Sequence, residues 1–316
     1  MKDEKGRFLA SESIAFKEGF LKSPVVDIWA YKFKDLLERT FQDLFFSERK
    51  VTIHNLIEAS QPYAYSQKGF LRSFSGFAKD LSKFRLRNII KRSAVTLGFK
   101  EDPYSTFEWI IENVKESKVT LTVFFLLGEA VNFIEGTNYR RKKFKLIIKT
   151  VSDYKQVGLI FSKEALKNYE ILKTEKKQLE KITNRDLLSS MNTQYLVSLP
   201  NNYRNLVELE VKKDFSMVYE NQPGFRASSC TPFLFYDLDY EIVSPLLIHP
   251  VTMTTEAFKD EKESEISVII EDLINSVKKV NGTFSLIFTN RNFTSDKKNK
   301  LWKHLFIKLS KNASVN

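Results

Sequence analysis

Apolar residues along this chain fall into two alternating patterns. Short apolar runs bounded by polar residues predict strands at VTIHNLI (51–57), LTVFFLLG (121–128), QVGLIF (156–161), QYLVSL (194–199), DFSMVY (214–219) and TFSLIFTN (283–290), with SPLLIHPVTM (244–253) extended. Between them lie stretches of helical period. DPYSTFEWIIENVKES (102–117) places Phe107, Ile110, Ile111 and Val114 on one face. YRRKKFKLIIKTVSDY (139–154), SKEALKNYEILKTEKKQLEKITN (162–184), NNYRNLVELEV (201–211) and NKLWKHLFIKL (299–309) read the same way. SEISVIIEDLINSVKKVNG (264–282) does too, closed by Asn281-Gly282 as a C-terminal stop. Strands separated by helices predict a parallel sheet with helices outside it. About seven such units, with no GxGxxG turn among them, favour an α/β fold of the (β/α) TIM-like barrel type over an open dinucleotide-binding sheet. In such barrels chemistry sits at the C-terminal ends of the strands.

Composition narrows the function classes. The 316 residues are 42% hydrophobic and 28% charged, an ordinary globular balance, and suffice for a large core. Only 10 glycines are present, so phosphate-cradling loops are scarce. A single cysteine, Cys230, excludes an internal disulfide and a cysteine-based zinc cluster. The start, MKDEKGRFLASES, has no apolar signal core, and the longest apolar run is too short to span a bilayer; the reading is a cytoplasmic protein without a membrane span. The net charge of +11 raises nucleic acid as a partner. Its clusters, KFRLRNIIKR (83–92) and NYRRKKFKLIIK (138–149), interleave with apolar residues at helical spacing, as on solvated helix faces. Nucleic acid is therefore the weaker reading.

The predicted strand ends carry little chemistry: Glu58 and Ser60; Gly128 and Glu129; Ile160-Phe161-Ser162; Gln194; the loop around Arg226; Met253-Thr254; Thr289-Asn290. A metal hydrolase needs two or three His, Asp, Glu or Cys ligands converging on one point. The histidines are His54 inside a strand, His249 before Pro250 and His304 in the last helix, and their placement predicts no convergence. HExxH, GxSxG and P-loop motifs are absent. Glu58 is a candidate general base, Asp237 and Asp239 candidate substrate holders, and Tyr63, Tyr65, Phe233 and Tyr236 a candidate sugar-stacking wall. Each has a plainer structural reading as a surface carboxylate or a core aromatic.

Several segments together resemble one family. GRFLASESIAFKEGFLKSPVVDIWA (6–30), QPYAYSQKGFLRSFSGFAKDL (61–81), DPYSTFEWIIE (102–112), FFLLGE (124–129) and GFRASSCTPFLFYDLDYE (224–241) are similar to bacterial polysaccharide deacetylase-like proteins with the NodB-type barrel, in the branch known mainly from Bacteroidetes. The resemblance runs from about residue 6 to 305. It implies a distorted barrel of about seven strands over 46–316, preceded by a segment (1–45) that is a remnant of another domain or an extension of the barrel. Active members remove acetyl groups from amino sugars with a divalent metal such as zinc.

Carried over residue by residue, the same resemblance implies a degenerate centre. An Asp-x-Asp motif reads Glu58-Ala59-Ser60 here, and a Gly-x-His-Pro-Ser strand end reads Gly158-Leu159-Ile160-Phe161-Ser162. An Arg-Gln-His segment reads Asn192-Thr193-Gln194, a Met-Asp pair Met253-Thr254, and a terminal Trp-His-Asn Phe288-Thr289-Asn290. Isoleucine cannot bind a metal, and serine and threonine are weak neutral ligands. Without the final histidine no protonated donor serves the leaving amine. The leading expectation is thus a catalytically inactive deacetylase-like protein with no cofactor, keeping a cleft for an amino-sugar polysaccharide or a cell-envelope biosynthesis protein. The rivals are a hydrolase rearranged around Glu58 and a basic polyanion-binding protein. A vestigial site would bring Glu58 and Arg226 together as a carboxylate–guanidinium pair at the barrel mouth.

Overall fold

The computed structural model describes residues 2–66, 86–128 and 141–311. Glu129 and parts of the two basic clusters lie outside them. In chain order the elements are α1 (Ile14–Lys17), α2 (Val25–Thr40), β1 (Thr52–Ala59), α3 (Leu86–Thr96), α4 (Phe107–Val114), β2 (Thr120–Leu126), α5 (Lys142–Tyr154), β3 (Gln156–Phe161), α6 (Tyr169–Thr183), β4 (Ser189–Asn192), α7 (Asn201–Glu208), β5 (Lys213–Asp214), β6 (Phe233–Asp237), β7 (Ile242–Ile248), β8 (Met253–Thr254), α8 (Glu263–Lys278), β9 (Thr283–Thr289) and α9 (Lys300–Lys311).

The strands form one sheet of nine, in the order β6-β7-β5-β4-β3-β2-β1-β9-β8. Every pairing is parallel except β6 on β7. This corrects the expected closed barrel of about seven strands. The sheet is open, and among the described residues no strand pairs with the outer edge of β6 or β8. It is nevertheless strongly curled. β1 and the strand preceding Phe215 are four places apart in the sheet, which in a flat sheet is ~19 Å. The rings of His54 and Phe215 lie only 5.1 Å apart.

Two apolar clusters follow from the alternation along each strand. On β1, Ile53, Ile57 and Ala59 face the helices and join the large outer core with Phe107, Ile110, Ile111 and Val114 of α4. Leu56 faces the inside of the curl, among Phe124, Leu126, Ile160, Met191, Tyr195, Phe215, Val218, Val251 and Ile287. Gly158 makes room there, because a Cβ at this position would sit 2.4 Å from the ring of Phe124.

Three predicted elements form differently, and of the strand expected at DFSMVY only Asp214 is in a strand, the two-residue β5. The long helix expected over 162–184 starts only at Tyr169, because the Asn168 side chain accepts from the backbone N–H groups of Glu170 and Ile171 and caps it. The strand expected at QYLVSL (194–199) forms five residues earlier, as β4 (Ser189–Asn192). Gln194 and Tyr195 both take left-handed backbone, at φ 52° and 55°, which ends the extended run. Among the described residues no helix is long and apolar enough to cross a membrane.

Candidate functional site

Glu58 reaches the C-terminal end of β1 on the inward face, the register of Leu56 two residues before it. It pairs in register with Thr289 of β9. Its carboxylate accepts a 2.6 Å hydrogen bond from the hydroxyl of Tyr195, which is 4% exposed. Burial, and then the neighbouring Glu58 charge, push the Tyr195 hydroxyl well above its ordinary pKa, so it remains a donor. The left-handed turn at Gln194-Tyr195 turns this ring back into the curl. No motif marked Tyr195 in the sequence; its signal was an aromatic next to a position of family interest.

Arg226 does not pair with Glu58. Its Nη1 donates to three main-chain carbonyls, those of Val218 at 2.9 Å, Tyr195 at 3.2 Å and Ser216 at 3.5 Å. The guanidinium also stands over the Tyr219 ring, 5.5 Å from its centroid. Glu58 and Arg226 are thus linked through the two ends of Tyr195 rather than directly. Burial lowers the arginine's pKa, but carbonyl oxygens supply its counter-dipole.

The small polar residues of the Arg226 loop are held by the N-terminal segment. Gly224 has φ +145°, and a Cβ there would meet Leu21 at 2.7 Å. The Phe225 N–H donates to the Leu21 carbonyl and the Val26 N–H to the Ser228 carbonyl. Buried Asp27 accepts from the Cys230 N–H at 2.7 Å and the Ser229 hydroxyl at 3.2 Å. Residues 7–16 then lie over the strand ends, with Arg7 ion-paired to Glu220. A cavity of about 210 Å³ remains beneath, lined among others by Arg7, Phe16, Gln194, Tyr219 and Arg226. The side-chain oxygen of Gln194 is buried without a hydrogen-bond partner.

The other positions implied by the resemblance have structural partners. Ile160 is 1% exposed and packed in the inner cluster. Ser60 follows the end of β1 in a bend. The Thr254 hydroxyl donates to the Glu220 carbonyl at 2.7 Å. Thr289 begins a short 3-10 turn, its N–H and hydroxyl both bonded to the Asn292 side chain. A divalent metal needs charged or imidazole donors, and this set offers Glu58, hydroxyls, an amide and an alkyl group. Among the described residues no three His, Cys, Asp or Glu side chains cluster. The donor set does not fit such an ion.

The candidate aromatic wall does not assemble. Tyr63 is buried in the outer core edge-on to Phe144, with its hydroxyl pushed up to about 12 by burial. Tyr65 lies under the Arg92 guanidinium, 4.9 Å from the ring centroid. Phe233 stands opposite Ile248, at the C-terminal end of β7, whereas Tyr236 and Asp237 lie opposite Val243 and Ile242 near its start. β6 runs against its neighbour, so these last two residues point away from the end of the sheet that holds Glu58. Asp237 is instead clamped by Arg204, which also binds Asp239. That clamp holds the Asp237 carboxyl below its ordinary pKa.

The histidines do converge, contrary to the sequence reading, though only as a pair. His54 lies four residues before Glu58 on the same strand face, ~13 Å down the strand. It meets His249 at 6.1 Å between centroids, with His249 stacked on Phe215 at 4.5 Å. The Nε2 of His54 is 3.0 Å from the Thr122 hydroxyl, while both ring nitrogens of His249 lack partners. Burial lowers His54 to about 3 and His249 to about 4. The curl that joins them cannot be seen in the sequence.

Three buried carboxylates also carried no motif. Asp102 gathers the N–H groups of Ala64, Tyr65, Ser66 and Tyr104, and so shapes the loop after β1. Asp214 accepts from Ser190 and Ser216, and burial raises it to about 6. Glu175 of α6 accepts from the Ser162 N–H at 3.0 Å, and burial raises its pKa.

A family model described as a family of unknown function (DUF7033) matches residues 1–42. No curated protein matches the chain. Among solved structures, a putative polysaccharide deacetylase from Mycobacterium smegmatis aligns with a TM-score of 0.48 and 10% identity, over 83% of this chain and 86% of that one. A CE4 family pseudoenzyme from Bacillus anthracis aligns at 0.42 and 11%, over 86% and 67%. A 4-alpha-glucanotransferase from Thermococcus litoralis aligns at 0.44 and 11%, over 82% of this chain but 35% of the other. Each description is of that protein, and what the strand ends of this chain can do is set by its own residues.

Proposed function

We propose that the chain is a polysaccharide deacetylase-like protein that does not catalyse deacetylation and keeps a glycan-binding cleft. One observation carries this reading: the Tyr195 ring is buried against Ile160 in the inner cluster while its hydroxyl engages Glu58. A general base must be within reach of a water or substrate proton. Here the Glu58 carboxylate already accepts from a phenol, and the end of β3, two places along the sheet, offers an isoleucine. The donor set at these strand ends does not suit an ion that would lower the pKa of water, and among the described residues the nearest imidazole on this strand face, His54, lies ~13 Å down β1 from Glu58.

The cleft is the cavity under residues 7–16. Aromatic faces from Phe16 and Tyr219, with amide and charged groups from Gln194, Arg7 and Glu220, combine stacking surface with hydrogen-bonding groups of the kind a sugar ring uses. Titration with chito-oligosaccharides followed by calorimetry tests this. The expectation is saturable binding, lost in Gln194→Leu. Absence of binding to acetylated and deacetylated oligomers alike would remove the glycan.

A further inference from the structure

Helix α2 packs one face on the molecule through Asp27, Ile28 and Tyr31. Its opposite face is an apolar stripe in water: Val26 is 49% exposed, Trp29 68%, Phe33 60% and Leu36 59%. A lone exposed apolar residue is ordinary, but four in line on one helix are not. Their spacing is three, four and three residues, the interval of a coiled-coil seam, and no charged residue interrupts it. We propose that this seam is a self-association surface, and that its occupant is α2 of a second copy lying antiparallel.

The pattern is self-complementary. In the antiparallel arrangement the layers pair Val26 with the partner's Leu36, and Trp29 with the partner's Phe33, each twice about a two-fold axis. All four layers are apolar on both sides, and two contain an aromatic pair. Nothing in the seam calls for an opposite charge from an unlike protein. Lys32 flanks it beside the axis and meets its own copy, a weak surface repulsion that salt screens. The area is sufficient. A buried aromatic covers ~150–250 Å², so Trp29 and Phe33 each leave on the order of 100–170 Å² in water. With Val26 and Leu36 counted for both copies, the seam covers on the order of 1,000 Å², the lower bound for a specific interface.

Sedimentation velocity of the full chain from 1 to about 100 µM tests the proposal. It predicts a concentration-dependent dimer, held equally or more tightly as salt rises, and a monomer at every concentration for Phe33→Glu. A fold control is the far-UV circular dichroism spectrum, which Phe33→Glu should leave unchanged because Phe33 faces water. Lys32→Cys tests the register: oxidation should link two chains through this position, whereas Lys22→Cys should not, and Cys230 is buried. A monomer throughout the range overturns the proposal. So does a dimer untouched by Phe33→Glu, or a monomer that binds anionic or neutral vesicles through the stripe.

Discussion

The phenol of Tyr195 closes on the carboxylate of Glu58 at 2.6 Å, while the main-chain carbonyl of the same tyrosine is held by Arg226. One residue therefore joins the two side chains that would face one another across an open site. It does so with left-handed backbone, a conformation of modest cost that a non-glycine residue keeps only when its surroundings fix it.

Removing the Tyr195 hydroxyl leaves the Glu58 carboxylate without that donor inside the curl. Hydrogen bonds to charged groups contribute roughly 1.5–3 kcal/mol. Tyr195→Phe should lower the unfolding free energy by about that amount in urea titration, with an unchanged slope. An unaltered midpoint would mean that water replaces the phenol and that the centre is open.

Acid should loosen the protein through the His54–His249 pair. Both have folded pKa values depressed from 6.5, to about 3 and about 4, so the stability they favour is present above pH 6.5 and is lost as pH falls toward those values. Asp214 works in the other direction. Its pKa is raised from 3.8 to about 6, so its contribution is present below 3.8 and lost as pH rises through 6. The histidine shifts together are larger, and each pKa unit is worth about 1.4 kcal/mol. Net stability should fall by several kcal/mol between pH 6.5 and 4. His249→Phe removes two unpartnered buried nitrogens and should flatten that slope without destabilising the protein at pH 7. A steeper slope in the variant would contradict the assignment.

Cys230 is buried beside Gly282, with its thiol pushed upward by burial and by Asp27. Neither exposure nor a thiolate favours reaction. A thiol reagent should find no reactive group in the native protein and one per chain in denaturant. Fast native labelling would place the Arg226 loop differently.

Legibility in the sequence followed the range of the interactions. The apolar face of α4 and the run of β3 were readable because periodicity and strand length are local. Glu58 was placed at a strand end because the apolar run 51–57 stops just before it, and β1 does end at Ala59. The failures were long-range. Sheet closure is decided by which edges pair, so nine open strands replaced a closed barrel. The meeting of His54 with His249 depends on curl, and the separation of Tyr236 and Asp237 from Glu58 depends on β6 running antiparallel. The expectation of a Glu58–Arg226 pair, implied by the resemblance, failed for a third reason: nothing local indicates that a tyrosine would enter between them.

The proposed function rests on a packed tyrosine and isoleucine standing where the resemblance to deacetylases implies a metal-dependent centre. The most direct measurement is zinc content after dialysis against excess zinc, taken with acetate release from acetylated chito-oligosaccharides on the same sample. The account predicts far less than one zinc per chain and no acetate above the blank, in wild type and in Glu58→Gln alike. Stoichiometric zinc with acetate release that Glu58→Gln abolishes would contradict it.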